Sequence, residues 1–168
     1  NKRLGGRCIS YERNGCMMDL GWHFYCLSDK GPLQEVCNRV DMPNGIPWNQ
    51  LNGTSYIQVG DVQRKYSKKS MMEVVAEEER ENFERLFKDV FTLSDDELSE
   101  LWYVSVGDWV KSYTSDKMAY ALIESFAAQY FCVPAKEASA TEFIRAFREV
   151  MSNRATAYPS GGNFSVPL

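Results

Sequence analysis

From Arg7 to Lys69 apolar residues tend to alternate with polar ones in short runs, and from Ser70 onward they recur every three or four positions. Alternation places successive side chains on opposite faces of a strand, whereas the longer period gathers them on one side of a helix. The pattern predicts an α+β protein, with a short antiparallel hairpin and sheet region first and a bundle of about four α-helices after it.

Arg7 to Asn14 reads as a strand and Asn14-Gly15 as its turn, because both central positions of a type I′ turn need positive φ and these residues tolerate it best. A second strand is expected through Cys16 to Leu27, bending at Gly21 and closed by Asp29-Lys30-Gly31-Pro32. Leu33 to Val40 suits a short helix and a strand equally. Asp41 to Gly53 carries Pro43, Asn44-Gly45, Pro47 and Asn52-Gly53 and reads as loop throughout, with Trp48 as an anchor into the core. Thr54 to Val59 and Val62 to Lys69 make a second hairpin across Gly60-Asp61.

One long helix is expected from Ser70, with Met71, Val74, Val75, Phe83, Leu86, Phe87 and Val90 along one side. Ser94 and Glu97 form a capping box, each side chain satisfying an otherwise unpaired amide, and start a second helix through Leu98, Leu101 and Trp102 toward Val110. Ser115 is the expected cap of a third, lined by Met118, Leu122, Phe126 and Tyr130 and stopped by Pro134. The fourth begins near Ser139 or Thr141 and buries Phe143, Ile144, Phe147, Val150 and Met151. These elements make one domain of residues 1–168: a β- and loop-rich subregion over 1–69, a helical bundle over 70–153 and an extended tail over 154–168.

With 44% apolar and 25% charged residues the chain has the composition of a folded domain. No run approaches the roughly 20 apolar residues of a membrane span, so a soluble protein without a membrane partner is expected. Charge is divided unevenly. Residues 1–69 hold ten Lys and Arg against six acids, and residues 70–168 hold nine against seventeen. In the basic part Arg64, Lys65, Lys68 and Lys69, together with Tyr11 and Trp22, are the side chains that a phosphate backbone and stackable bases would use. A solvated sheet edge explains the same lysines, and the overall pI near 5 argues against strong non-specific nucleic-acid binding.

Cys8, Cys16, His23, Cys26 and Cys37 are the metal-capable set. Zinc takes four such ligands in a tetrahedron, but the spacing matches no finger pattern, and reduced buried thiols, which pack as small hydrophobes, are favoured over one or two disulfides or a structural zinc. Five cysteines exclude a fully paired framework. Cys132, within Tyr130-Phe131-Cys132-Val133, is expected in the core.

The single histidine removes any mechanism that needs two imidazoles. A Cys–His pair around His23 would need an orienting group and an oxyanion site that the sequence does not display. No glycine spacing matches a phosphate-binding loop, and no cofactor is expected beyond the zinc alternative. The sequence therefore favours a non-catalytic binding or assembly protein whose partner is another protein or a second copy of itself, acting through its acidic helical face and aromatic surface. A nucleic-acid-binding module and a small cysteine-dependent hydrolase are the alternatives.

Overall fold

The computed structural model describes residues 9–19, 21, 25, 27–42, 45–51, 53, 55–153 and 156–162. In chain order the elements are β1 (Ser10–Arg13), β2 (Cys16–Asp19), α1 (Pro32–Arg39), β3 (Trp48–Gln50), β4 (Tyr56–Val59), β5 (Val62–Lys65), α2 (Lys68–Val74), α3 (Arg80–Thr92), α4 (Asp95–Glu100), α5 (Val106–Lys111), α6 (Lys117–Phe131), α7 (Ala140–Asn153) and β6 (Ala157–Pro159). Short 3-10 turns cover Ser28–Lys30 and Glu77–Glu79. The fold is mixed α+β, as the change of period implies.

The chain forms two compact units, one of residues 1–52 with 149–168 and the other of residues 53–148. In the first, β1 and β2 make the expected hairpin, with Asn14 at φ 54° and Gly15 at φ 76° in its turn. The stretch 41–53 is not all loop, because β3 pairs antiparallel with β6, so residues expected in an extended tail complete a ladder. Tyr25 extends it by exchanging main-chain hydrogen bonds with Ala157 at 2.6 and 2.9 Å. Leu33 to Val40 resolves as helix, begun by Pro32, whose missing N–H costs nothing in a first turn.

Gln34 of α1 ties this unit together. Its side-chain oxygen accepts from the Trp48 indole at 3.3 Å and from the Ile46 amide at 3.5 Å, while its nitrogen donates to Asn38 at 3.0 Å. Gly45 makes this possible, because it sits at φ 53° and a Cβ there would overlap the Gln34 side-chain amide. Any side chain would add left-handed strain and push the amide off its partners.

In the second unit, β4 and β5 form the second expected hairpin. It is shorter than the pattern suggests because Ser67 and Ser70 cap each other and begin α2 at Lys68. The long helix expected from Ser70 is broken. Val75 and Ala76 are extended, and the Arg80 guanidinium turns back to donate to the carbonyls of Met72 and Val75 at 2.9 and 3.3 Å. Local donors replace the helical bonds that the break removes.

The helix expected from Ser94 also divides, into α4 and α5. Between them Val104 and Val106 pair with the strand-like turn before α7: Val106 N–H donates to the Ala138 carbonyl at 2.8 Å and Ala140 N–H to that of Val104 at 2.9 Å. The capping box at Ser94 and Glu97 is present. The cap of α6 is Asp116 and not Ser115, its carboxylate accepting from the Ala119 amide at 2.7 Å. At the other end of α6, Cys132 takes the left-handed cap at φ 57° and is exposed, which corrects its expected place in the core. Among the described residues the α-helices therefore number seven, because short caps and main-chain pairing divide runs whose apolar spacing is continuous.

Candidate functional site

The most distinctive chemistry lies in the second unit, where α3, α6 and α7 each carry aromatic residues four positions apart: Phe83, Phe87 and Phe91; Phe126 and Tyr130; Phe143 and Phe147. Four-residue spacing keeps such rings on one side of a helix. They meet around Phe147, which is 1% exposed. Its ring centroid lies 5.3 Å from that of Phe126, 5.7 Å from Phe143, 5.9 Å from Phe87, 6.3 Å from Tyr130 and 6.5 Å from Phe91. Most of these pairs are edge-on or tilted, the arrangements that the ring quadrupole favours. Tyr66 extends the set, 6.0 Å from Phe126, and its burial pushes its phenol above the ordinary value. The cluster runs from the core to the surface, since Phe87, Phe126 and Tyr130 are half-buried and Phe91 is 50% exposed.

At the end of α5 the cluster meets a polar group. Phe143 lies 6.4 Å from Trp109, and Trp109 lies 5.6 Å from Tyr113. The Tyr113 hydroxyl donates to the Asp89 carboxylate at 2.6 Å, and the Arg85 guanidinium stands 5.6 Å from its ring centroid. Burial, reinforced by the bond to Asp89, pushes the Tyr113 phenol up to about 12.

A second polar knot fastens the 3-10 turn Glu77–Glu79 to the connection before α6. The Glu79 carboxylate accepts from Thr114 at 2.7 Å, Asn82 at 3.1 Å and Ser115 at 3.4 Å, and Asp116 accepts in return from the Ala76 amide at 3.3 Å. The Asn82 amide and then the Thr114 hydroxyl hold the Glu79 carboxyl below its ordinary value. A carboxyl depressed in the folded state contributes stability that is complete above its unfolded value and disappears as pH falls through the folded one. Thr114→Val is therefore expected to raise the Glu79 titration midpoint, followed by carboxyl carbon NMR, and to shift acid unfolding of this unit to higher pH.

The residues singled out from the sequence fall in both units, those of the basic set on β5 and α2 of the second. Arg64 on β5 and Lys69 on α2 both pair with Glu73, at 3.6 and 3.8 Å, and Lys68 pairs with Glu84 at 2.5 Å. Lys65 is exposed. The expected basic patch is interleaved with acids of the helices that follow it, and Tyr11 belongs to the other unit. Of the metal-capable set, Cys16 is exposed on β2 and Cys37 is buried on α1. Cys8, His23 and Cys26 lie outside the described residues, as does Trp22. Among the described residues no three His, Cys, Asp or Glu side chains gather as a metal site would require. The aromatic cluster was not among the sites expected from the sequence, and its signal is the repeated four-residue spacing of rings on three helices.

No family model matches the chain, and no curated protein matches it. Solved structures do. An oxidoreductase from Methanosarcina mazei is similar over 98% of this chain, with a TM-score of 0.72 and 16% identity. Wild-type putrescine oxidase bound to putrescine is similar over the same share, with a TM-score of 0.67 and 18% identity. A triple mutant of putrescine oxidase from a redesign of its cofactor binding gives 0.68 at 18% identity. The chain spans about two fifths of the length of these proteins, 39% of the first and 40% of the others. At such identity the likeness is one of fold. It corrects the expectation of a non-catalytic binding or assembly protein, together with its nucleic-acid-binding and cysteine-hydrolase alternatives, because the fold on which those readings were placed is one that occurs within oxidoreductases.

No helix among the described residues is long and apolar enough to cross a membrane.

Proposed function

We propose that this chain forms part of an oxidoreductase and that its helical unit offers the aromatic cluster as one wall of a site for a reduced organic substrate. The observation that carries this reading is the near-complete coverage of the chain by two oxidoreductase folds that are each much longer than it. The cluster suits the role chemically. Half-buried rings exclude water from a C–H or C–N bond about to be oxidised, and their faces accept an organic cation if the substrate is an amine.

Oxidation requires an electron acceptor. The three sheets of the described residues are two-stranded and antiparallel, and they provide no parallel strand–turn–helix crossover of the kind that cradles a dinucleotide. The binding of a dinucleotide acceptor through such a crossover is therefore placed outside the described residues.

The test uses the intact natural gene product that contains this sequence. Its purified form is titrated with flavin and nicotinamide dinucleotides, then mixed with putrescine and a series of primary and secondary amines while oxygen uptake and peroxide are followed. Substrate-dependent turnover, with KM raised in Phe126→Ala or Tyr130→Ala, supports the proposal. An intact product that holds no redox cofactor, binds none and transfers no electrons overturns it.

A further inference from the structure

Trp109 is 3% exposed at the heart of the helical unit, and Tyr113, one turn further on, is half-buried toward solvent. Their ring centroids are 5.6 Å apart in an edge-on arrangement. The tyrosine hydroxyl already donates to a carboxylate, that of Asp89, at 2.6 Å. Indole and phenol are among the side chains that give up one electron without a metal. Phenol oxidation is gated by its proton, because the phenol radical cation is a very strong acid and a base must accept that proton as the electron leaves. Here the base is in place, on α3, and the route between the rings is direct.

We propose that Trp109, Tyr113 and Asp89 form a relay that carries an oxidising equivalent from the interior of the helical unit to its surface. A one-electron oxidant of the peroxide-derived class removes an electron from the Trp109 indole and is itself reduced by one electron. The resulting indole radical cation takes an electron from Tyr113. As it does so the phenol proton passes along the existing hydrogen bond to Asp89, leaving neutral Trp109, a neutral tyrosyl radical and a protonated carboxyl. Charge balances without a further reactant. A hole that would otherwise damage the aromatic cluster then resides on a ring that external reductants can reach. In an enzyme that generates peroxide this is a protective route, and to that extent the inference rests on the oxidoreductase reading.

The experiment is independent of turnover. A photogenerated ruthenium(III) polypyridyl complex serves as the oxidant for the purified protein, and transient absorption with freeze-quench EPR follows indole and phenoxyl radicals. The relay predicts that Tyr113→Phe lowers the tyrosyl yield and prolongs the tryptophanyl signal, and that Asp89→Asn, which retains a hydrogen-bond acceptor but no longer takes the proton, slows conversion of one to the other. An unchanged tyrosyl yield in Tyr113→Phe overturns the relay. An unchanged conversion rate in Asp89→Asn overturns it equally, since the proton acceptor is part of what is proposed. Failure of the oxidoreductase reading would appear in the turnover assay and not here.

Discussion

Phe147→Ala is expected to destabilise the helical unit by about 3–5 kcal/mol, as truncation of a fully enclosed phenylalanine does elsewhere. The ring is 1% exposed and stands at the meeting point of α3, α6 and α7, with five other rings within 6.5 Å of its centroid. Removing it deletes the transfer term of one large side chain. It also leaves a cavity whose walls are themselves bulky and set edge to face, so they cannot collapse inward without leaving their favoured packing. Phe147→Leu should recover more than half of the loss. Urea denaturation followed by tryptophan fluorescence, with Trp109 as the local reporter, measures both. A loss under about 1 kcal/mol would mean that the cluster repacks freely around the missing ring.

Arg148→Met is the second large expected effect, a loss of about 2–3 kcal/mol from two charge-assisted hydrogen bonds. The guanidinium donates through Nε to the Val90 carbonyl and through Nη2 to the Leu93 carbonyl at 2.7 Å, across the C-terminal end of α3. The final carbonyls of a helix have no partner within it, and the negative end of its dipole favours a cation there. Methionine preserves the aliphatic stem, so the change isolates the lost polar contacts from lost packing. Arg148→Lys offers a single donor centre and should fall between the two. Thermal unfolding of the three proteins side by side would show this order. If Arg148→Lys proved as stable as the parent protein, the paired geometry of the guanidinium would contribute nothing.

The turn chemistry of the first third was legible where two residues decide it, as at Asn14-Gly15, where positive φ at both positions fixes the hairpin. The apolar faces of α3, α6 and α7 were legible for the same kind of reason, because a four-residue period specifies one buried side. The breaks were not. Nothing local marks Val75-Ala76 as extended, since that conformation is held by Arg80 from beyond it and by Asp116 from far along the chain. Likewise α4 and α5 are separated by main-chain pairing with residues 135–140, which leaves no trace in side-chain hydrophobicity. Cys132 was misplaced because its neighbours are apolar, while its position is set by the left-handed cap it occupies. The candidate site was least legible of all. Aromatic residues on separate helices become a cluster only when the helices meet, and a charge count over a long segment cannot reveal that Arg64 and Lys69 share Glu73.

The pairing of β3 with β6 has a consequence for how the protein acquires its structure. Each strand is three residues long, and in sequence the whole helical unit separates it from its partner. During synthesis β3 emerges with nothing to pair with, and it must wait until Ala157–Pro159 has left the ribosome. The helical unit, whose contacts are complete by Arg148, is free to consolidate first. Its compaction shortens the effective tether between the two strands and so lowers the entropy of bringing them together. Destabilising α7 or the cluster around Phe147 should then slow the closing of the first unit as well, although no residue of β3 or β6 has changed.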